Sequence, residues 1–221
     1  MTILDSLIYI LFYLGPGIPQ TLLISIIALV IGIGIGFIVA IGRVYGGREI
    51  RAIARGYERI LRGIPILALI LITYFVLGLF IPFFNQPLPA ASFSLGIRSG
   101  AYQSEIFRSA IDTVSTGQMD AARSIGLTKG EAIRLIILPQ ALTVSLQGWS
   151  SEYAVVLKDS SFAYILGIAE LMRRADYLRA NPAIPVLWAY VLAAILYMCL
   201  TLPISRALNW WATRKRKELG I

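Results

Sequence analysis

Histidine is absent from the 221 residues and cysteine occurs once, at Cys199. The first absence removes the commonest metal ligand and the side chain best suited to moving protons near neutral pH. The second excludes an intrachain disulfide framework. Charge is scarce as well: Asp, Glu, Lys and Arg make up 14% of the chain, where a soluble domain carries about a quarter. There is no Gly-x4-Gly-Lys-(Ser/Thr) loop to cradle a nucleotide phosphate. No grouping of Cys or paired acids makes a recognisable active site, so neither a metal site nor a catalytic one is expected. From Met1 to Leu14 there is no Lys/Arg-bearing start and no clear small-residue cleavage site, so no cleavable signal is expected.

What is present is apolar. Hydrophobic residues reach 57% and the mean hydropathy is +0.75, values that point to an all-α integral membrane protein. The net charge of +8 and pI near 9.8 do not suggest nucleic acid, because the basic residues flank apolar runs, where they orient a membrane protein.

Taken in order, residues Met1 to Pro16 carry no Lys or Arg and are expected outside, with Gly15-Pro16-Gly17 and Pro19 breaking the chain. A span follows from Gln20 to Gly42, matching the roughly 20 apolar residues a bilayer needs. In it Gly32, Gly36 and Ala40 recur every fourth residue, a small-residue stripe for close helix packing. Arg43 to Arg62 holds six arginines against Glu49 and Glu58, which marks it cytoplasmic. Five of the six follow helical spacing and would line one face of a surface helix, with phospholipid headgroups as the default partner. A second span runs to about Ile81, followed by an uncharged external loop from Pro82 to Phe93.

The third span, about Leu95 to Val114, places Arg98, Tyr102 and Glu105 on one helix face. A carboxylate there faces a partner, a cavity or a transport path; pairing with Arg98 or Arg108 is the purely structural alternative. Between Asp120 and Pro139 lies a short segment, polar at one end. Ala121 and Ala122 keep one helical face thin, Gly126 lets the chain turn where a Cβ would clash, and Pro139 suits the first turn of a new helix. The run from Gln140 to Ala169 is too long for one untilted span. With Trp149 at the inner interface, Lys158 falls roughly 13 Å deeper, near the bilayer midplane. Lys158, Asp159, Ser160 and Ser161 then form a polar cluster at depth, where a helix break would expose backbone groups able to hold a zwitterion. Lys158 would find its partner elsewhere, Glu105 being one candidate. Glu170 to Pro185 reads as an outer loop, and Ile184 to Leu202 as a last inward span. Trp210 and Trp211 stand at the inner interface, and Arg214-Lys215-Arg216-Lys217 forms a cytoplasmic tail. Fourteen Lys and Arg fall in the inner segments against three, Arg173, Arg174 and Arg179, in the outer ones. Five spans, N-terminus out and C-terminus in, are the expected topology.

Four motifs carry a resemblance. Asp120-Ala121-Ala122, three residues, Gly126, nine residues, then Ile136-x-Leu138-Pro139 resembles the cytoplasmic coupling loop of ABC importer permeases, with Asp where Glu is usual. Arg62-Gly63-Ile64-Pro65-Ile66-Leu67 is similar to a segment of the polar amino acid permeases. So is Gly100-Ala101-Tyr102-Gln103-Ser104-Glu105-Ile106-Phe107-Arg108. Lys158-Asp159-Ser160-Ser161, followed by Gly167 and Glu170-Leu171, resembles a fourth motif of that family; Thr116-Gly117-Gln118 is also family-like, and Ser151 departs from its usual Asn. Most clear from Gly17 to Leu171, the resemblance implies a permease subunit of an ATP-driven amino acid importer with the type I transmembrane fold. It would be a single transmembrane domain over 1–221, core about 17–209, with coupling loop 114–138, multi-pass in the cell membrane.

The same resemblance implies that Tyr102, Glu105, Lys158, Asp159, Ser160 and Ser161 bind substrate. It gives Asp120, Ala121, Ala122 and Gly126 to ATPase coupling. Implied partners are two ABC ATPase subunits, which carry the ATP and Mg, a second permease copy or paralogue, and an extracytoplasmic amino-acid-binding protein; no cofactor is expected in this chain. The alternative from the residues alone is an ion-coupled secondary transporter acting without an ATPase, since Glu105 and Asp159 could carry protons or sodium.

Overall fold

The computed structural model describes residues 3–182 and 184–219, without the side chains of Ser115, Thr116 and Leu219; the Thr116 of the family-like lead-in therefore lies outside the described side chains. Among the described residues all regular structure is helical. Helix α1 (Ile3–Leu14) runs through a 3₁₀ turn into α2 (Ile18–Tyr45), followed by α3 (Arg48–Gly63) and α4 (Ile66–Leu71). A π-helical stretch, Ile72–Leu77, leads to the single turn α5 (Gly78–Phe80). The longest helix is α6 (Pro87–Ser124), followed by α7 (Lys129–Ala132), α8 (Leu138–Asp159), α9 (Leu171–Tyr177) and α10 (Val186–Leu219).

Several expected loops are helical instead. Pro82–Asn85 forms a 3₁₀ turn and α6 begins at Pro87, since proline fits a helix's first turn without losing a hydrogen bond. Phe84 packs against Phe93 with ring centroids 4.7 Å apart. The segment after Glu170 contains α9, whose first turn Glu170 caps. The N-terminal stretch is α1, and Ile10 and Leu14 are fully buried, so the packed core starts well before residue 17.

By length and apolarity, Ile3–Tyr45 and Val186–Glu218 qualify as spans, and Arg48–Gly63 with Ile66–Phe80 makes a third if that pair is one broken span. Helices α6 and α8 fall short of the same test. They carry Arg98, Glu105 and Arg108, and Glu152, Lys158 and Asp159, the polar groups that make them functionally interesting.

The chain forms two compact units, each assembled from three separate stretches. The first comprises Met1–Ile31, Ile64–Ile97 and Tyr153–Pro203. In its core, Ile10 and Leu14 pack with Leu171, Ala175 and Leu178 and with Ile184, Ala189 and Ala193. The second comprises Gly32–Gly63, Arg98–Glu152 and Ile204–Ile221, and there Ala110, Ile111 and Val114 of α6 pack with Ile137 and with Ala141 of α8.

The small-residue stripe packs as its spacing predicts. In the second unit a Cβ on Gly32 would stand 2.4 Å from Gln103 Nε2, and one on Gly36 would stand 2.8 Å from Gln103 Cβ and 3.0 Å from the Gly100 carbonyl. Backbone approach of this kind supplies the dispersion contact that holds helices together where lipid is as apolar as the side chains.

Candidate functional site

The segment around Gly126 is a helical hairpin. Helix α6 continues to Ser124, leaving Asp120 and Ala121 exposed and burying Ala122. The helix then ends in a Schellman motif: Leu127 N–H donates to the Ala122 carbonyl (3.2 Å) and Gly126 N–H to that of Arg123 (3.1 Å). Gly126 has φ +89°, and nothing lies within 4 Å of where its Cβ would be. Glycine is therefore needed here for its left-handed backbone, where a Cβ would clash with the chain itself, as the sequence suggests. A capping box restarts the helix: Thr128 N–H donates to Glu131 Oε2 (2.8 Å), and Glu131 N–H to Thr128 Oγ1 (3.3 Å). The spacing Thr-x-x-Glu was legible beforehand. The Thr128 hydroxyl, and after it the Thr128 N–H, holds the Glu131 carboxyl below its ordinary range. Pro139 lies in the first turn of α8, as expected, but no loop precedes it. Helical structure already runs from Lys129, and a π-helical stretch, Ile133–Ile137, precedes the proline, a wide turn of the kind that accommodates a missing donor.

In the second unit a cleft of about 620 Å³ is lined by Arg43, Arg55, Glu58, Arg59, Arg62, Tyr102 and Glu105. The Arg62 and Arg98 guanidinium carbons lie 5.0 and 5.1 Å from the Tyr102 ring centroid, close enough for cation–π attraction. Arg62 thus contributes to this cleft. Glu58, 6% exposed, accepts from the Ser104 hydroxyl (3.0 Å) and pairs with Arg43 (3.2 Å). Glu105 pairs within its own helix, with Arg108 through Nε (3.1 Å) and Nη2. This i,i+3 pair is the structural alternative weighed for Glu105, and helix geometry provides it without rearrangement.

The second unit also holds a polar chain that the sequence did not single out. The Trp149 indole donates to Gln103 Oε1 (2.9 Å), Gln103 Nε2 to Ser99 Oγ (3.0 Å), and the Ser99 hydroxyl to buried Glu152 (2.7 Å). The signal was available as polar residues at i,i+4 on α6 and i,i+3 on α8. Trp149 is therefore a contact from α8 to α6.

In the first unit α8 ends at Asp159 and the chain continues as a 3₁₀ helix, Ser160–Leu166, closed by Gly167 at φ +84°. The expected helix break thus falls on the polar cluster. A pocket of about 650 Å³ beside it is lined by Lys158, Ser161 and Met172 and by residues of α10. Asp159 is half-buried. Ser160 is fully buried and donates to the Leu157 carbonyl (2.7 Å). Nearby, Glu170 caps α9 by accepting from Met172 N–H (2.8 Å) and Arg173 N–H (2.7 Å), and it also accepts from the Tyr197 hydroxyl (2.7 Å). Of the six residues expected to bind substrate, Tyr102 and Glu105 thus border one cavity, and Lys158 and Ser161 line another.

Residues 32–217 match the family described as the inner membrane component of binding-protein-dependent transport systems. The chain belongs to this family. Glutamine transport system permease protein GlnP of Escherichia coli K12 is 32% identical over 191 residues, 86% of each chain. L-cystine transport system permease protein TcyB of Bacillus subtilis 168 is 32% identical over 195 residues, 87% of this chain and 82% of the relative. Among solved structures, the crystal structure of an amino acid ABC transporter with histidines aligns with TM-score 0.84 at 32% identity, covering 97% of this chain and all of that one. The inward-facing MetNI methionine ABC transporter aligns with TM-score 0.75 at 18% identity over 92% of this chain and 96% of that one, and shares the fold. The permease has the type I ABC importer transmembrane fold and is a membrane component, with ATP hydrolysis on a separate subunit. An ion-coupled carrier working alone is not favoured.

Proposed function

We propose that this permease subunit forms the path by which an amino acid is taken up at the expense of ATP, and that the hairpin at Asp120, Ala121, Ala122 and Gly126 receives the motion of the ATPase. The observation carrying this is the hairpin itself: an exposed Asp120-Ala121 surface ends at a turn fixed by a left-handed glycine and a capping box. Such a segment transmits force without bending. Two ABC ATPase subunits, holding ATP and Mg, serve as its partners inside. A second permease copy or a paralogue completes the path, an extracytoplasmic amino-acid-binding protein delivers the cargo, and membrane lipid surrounds the five spans. Cargo contacts come from Lys158, Asp159 and Ser161, with Ser160 shaping the helix break and Tyr102 and Glu105 placed along the path.

The test is Gly126→Pro in the reconstituted complex. A φ near −65° cannot replace +89°, so the variant should insert in the membrane yet lose substrate-stimulated ATPase activity. Unchanged stimulation would sink the coupling role. Asp159→Asn should weaken amino acid uptake, and an unaltered uptake curve would make the Lys158–Ser161 cluster structural.

A further inference from the structure

The arginine face of α3 meets two adjoining clefts of the second unit, and their charge is unbalanced. The larger, of about 620 Å³, has Arg55, Arg59 and Arg62 on its α3 wall. The smaller, of about 260 Å³, has Arg51 and Arg55 there, so that Arg55 borders both. Spacing of i, i+4, i+8 and i+11 keeps these four arginines on one helix face. The acids of the two clefts are already answered: Glu58 pairs with Arg43, and Glu105 and Asp112 both pair with Arg108. Arg51, Arg55, Arg59 and Arg62 hold no carboxylate among the described residues. Arg51 Nε donates to the Gly46 carbonyl (2.9 Å), and the Arg62 guanidinium carbon lies 5.0 Å from the Tyr102 ring centroid. These contacts position the two side chains and leave most of their N–H donors unspent. Like charges one turn apart repel, so the row is unfavourable until an anion neutralises it. On the other side of α3, Ile50, Ile53 and Ile60 are each more than half exposed. An arginine face and an apolar face on one helix mark a segment lying at headgroup depth. The six arginines of Arg43 to Arg62 put that depth in the inner leaflet, where anionic lipid collects.

We propose that the two clefts together bind the headgroup of a diphosphate lipid of the cardiolipin class, one phosphate in each, with Arg55 between them. Arg59 and Arg62 serve the phosphate in the larger cleft and Arg51 the phosphate in the smaller. Guanidinium groups suit this ligand because each presents paired N–H donors to two phosphate oxygens. The acyl chains pass into the same bilayer that receives Ile50, Ile53 and Ile60. A cargo carboxylate, or a lipid with one phosphate, carries a single charge and would leave most of the arginine row unneutralised.

Purified full-length permease in neutral detergent, titrated with cardiolipin, phosphatidylglycerol and phosphatidylcholine and read by native mass spectrometry, tests this. A single cardiolipin should bind to each chain, at least about tenfold more tightly than phosphatidylglycerol, with phosphatidylcholine weakest. Arg55→Gln with Arg59→Gln should weaken cardiolipin by at least about tenfold, since each basic side chain at a lipid surface contributes several-fold. Arg55→Lys with Arg59→Lys should keep the affinity within a few-fold, which separates lost charge from lost folding. Arg206→Gln with Lys217→Gln removes the same charge from exposed positions of α10 and should leave binding unchanged. Equal weakening by the two glutamine pairs would make the attraction diffuse and overturn the site. Phosphatidylglycerol binding as tightly as cardiolipin would overturn the two-phosphate reading. Displacement of cardiolipin by inorganic pyrophosphate at equal concentration would give the clefts to a soluble phosphate and overturn the lipid. Absence of saturable binding would overturn the proposal altogether, and loss of the permease dimer in the Arg55→Gln, Arg59→Gln variant would then assign the clefts to the second copy.

Discussion

Each unit buries a carboxylate beside a cavity, and the two are held in opposite ways. Glu58 is 6% exposed and met by a cation, Arg43, together with the Ser104 hydroxyl. Glu170 is fully buried and met by neutral donors: two backbone N–H groups and the Tyr197 hydroxyl. The cavities follow suit. Arginines crowd the cleft at Glu58, whereas the pocket lined by Tyr197 has Lys158 as its cation. The difference teaches that a buried carboxylate in a membrane protein can be met by a counter-charge, which fixes local electrostatics, or by neutral hydrogen-bond donors alone.

Glu→Gln substitutions at the two sites break the comparison most directly. Glu58→Gln leaves Arg43, itself 19% exposed in its side chain, without its counter-charge, and should destabilise the detergent-solubilised protein by about 3–5 kcal/mol, as removal of one partner of a buried pair does. A loss no larger than that of an exposed glutamate would mean the pair is solvated. Glu170→Gln removes no counter-ion, but its amide has one acceptor oxygen where the carboxylate has two, and its NH₂ cannot accept from the α9 backbone. Thermal unfolding should show a smaller loss, about 1–3 kcal/mol, with α9 the first element to lose protection from exchange. If Glu170→Gln costs more than Glu58→Gln, the distinction between the two carboxylates collapses.

How much of this was legible follows the same division. The Gly32 and Gly36 stripe, the arginine face of α3 and the helix break at Lys158-Asp159-Ser160-Ser161 were readable, because each depends on local spacing or on one strong backbone preference. The partners of charged groups were not. For Glu105 the sequence offered Lys158 as well as the helix neighbours Arg98 and Arg108; the pair formed is with Arg108 three residues along, and nothing in a one-dimensional pattern ranks a neighbour on the helix against a residue far along the chain. The Trp149 contact escaped for the same reason: its partner Gln103 lies far along the chain and is seen only in three dimensions. The segment Pro82 to Phe93 misled because prolines mark both turns and helix starts. At Gly126 the turn was legible because a residue without a Cβ is the one that readily takes a positive φ.

The smallest effect lies outside both cavities, at the hairpin, and it depends on pH. Hydrogen bonds from the Thr128 hydroxyl and N–H hold the Glu131 carboxyl below its ordinary range. A group depressed in the folded state stabilises above its unfolded value, about pH 4.3, and that contribution is lost as pH falls through the lower folded value. At neutral pH the capping box is therefore intact, and below about pH 4 it should open progressively. Amide exchange at Thr128 reads this directly, because its N–H donates to Glu131 Oε2. Its protection should decline on acidification in the native chain and show no such decline in Glu131→Ala, where there is no carboxylate to protonate. If Thr128 protection were flat with pH in both proteins, the hairpin would be held by the Schellman turn at Gly126 alone, and the capping box would have no part in its rigidity.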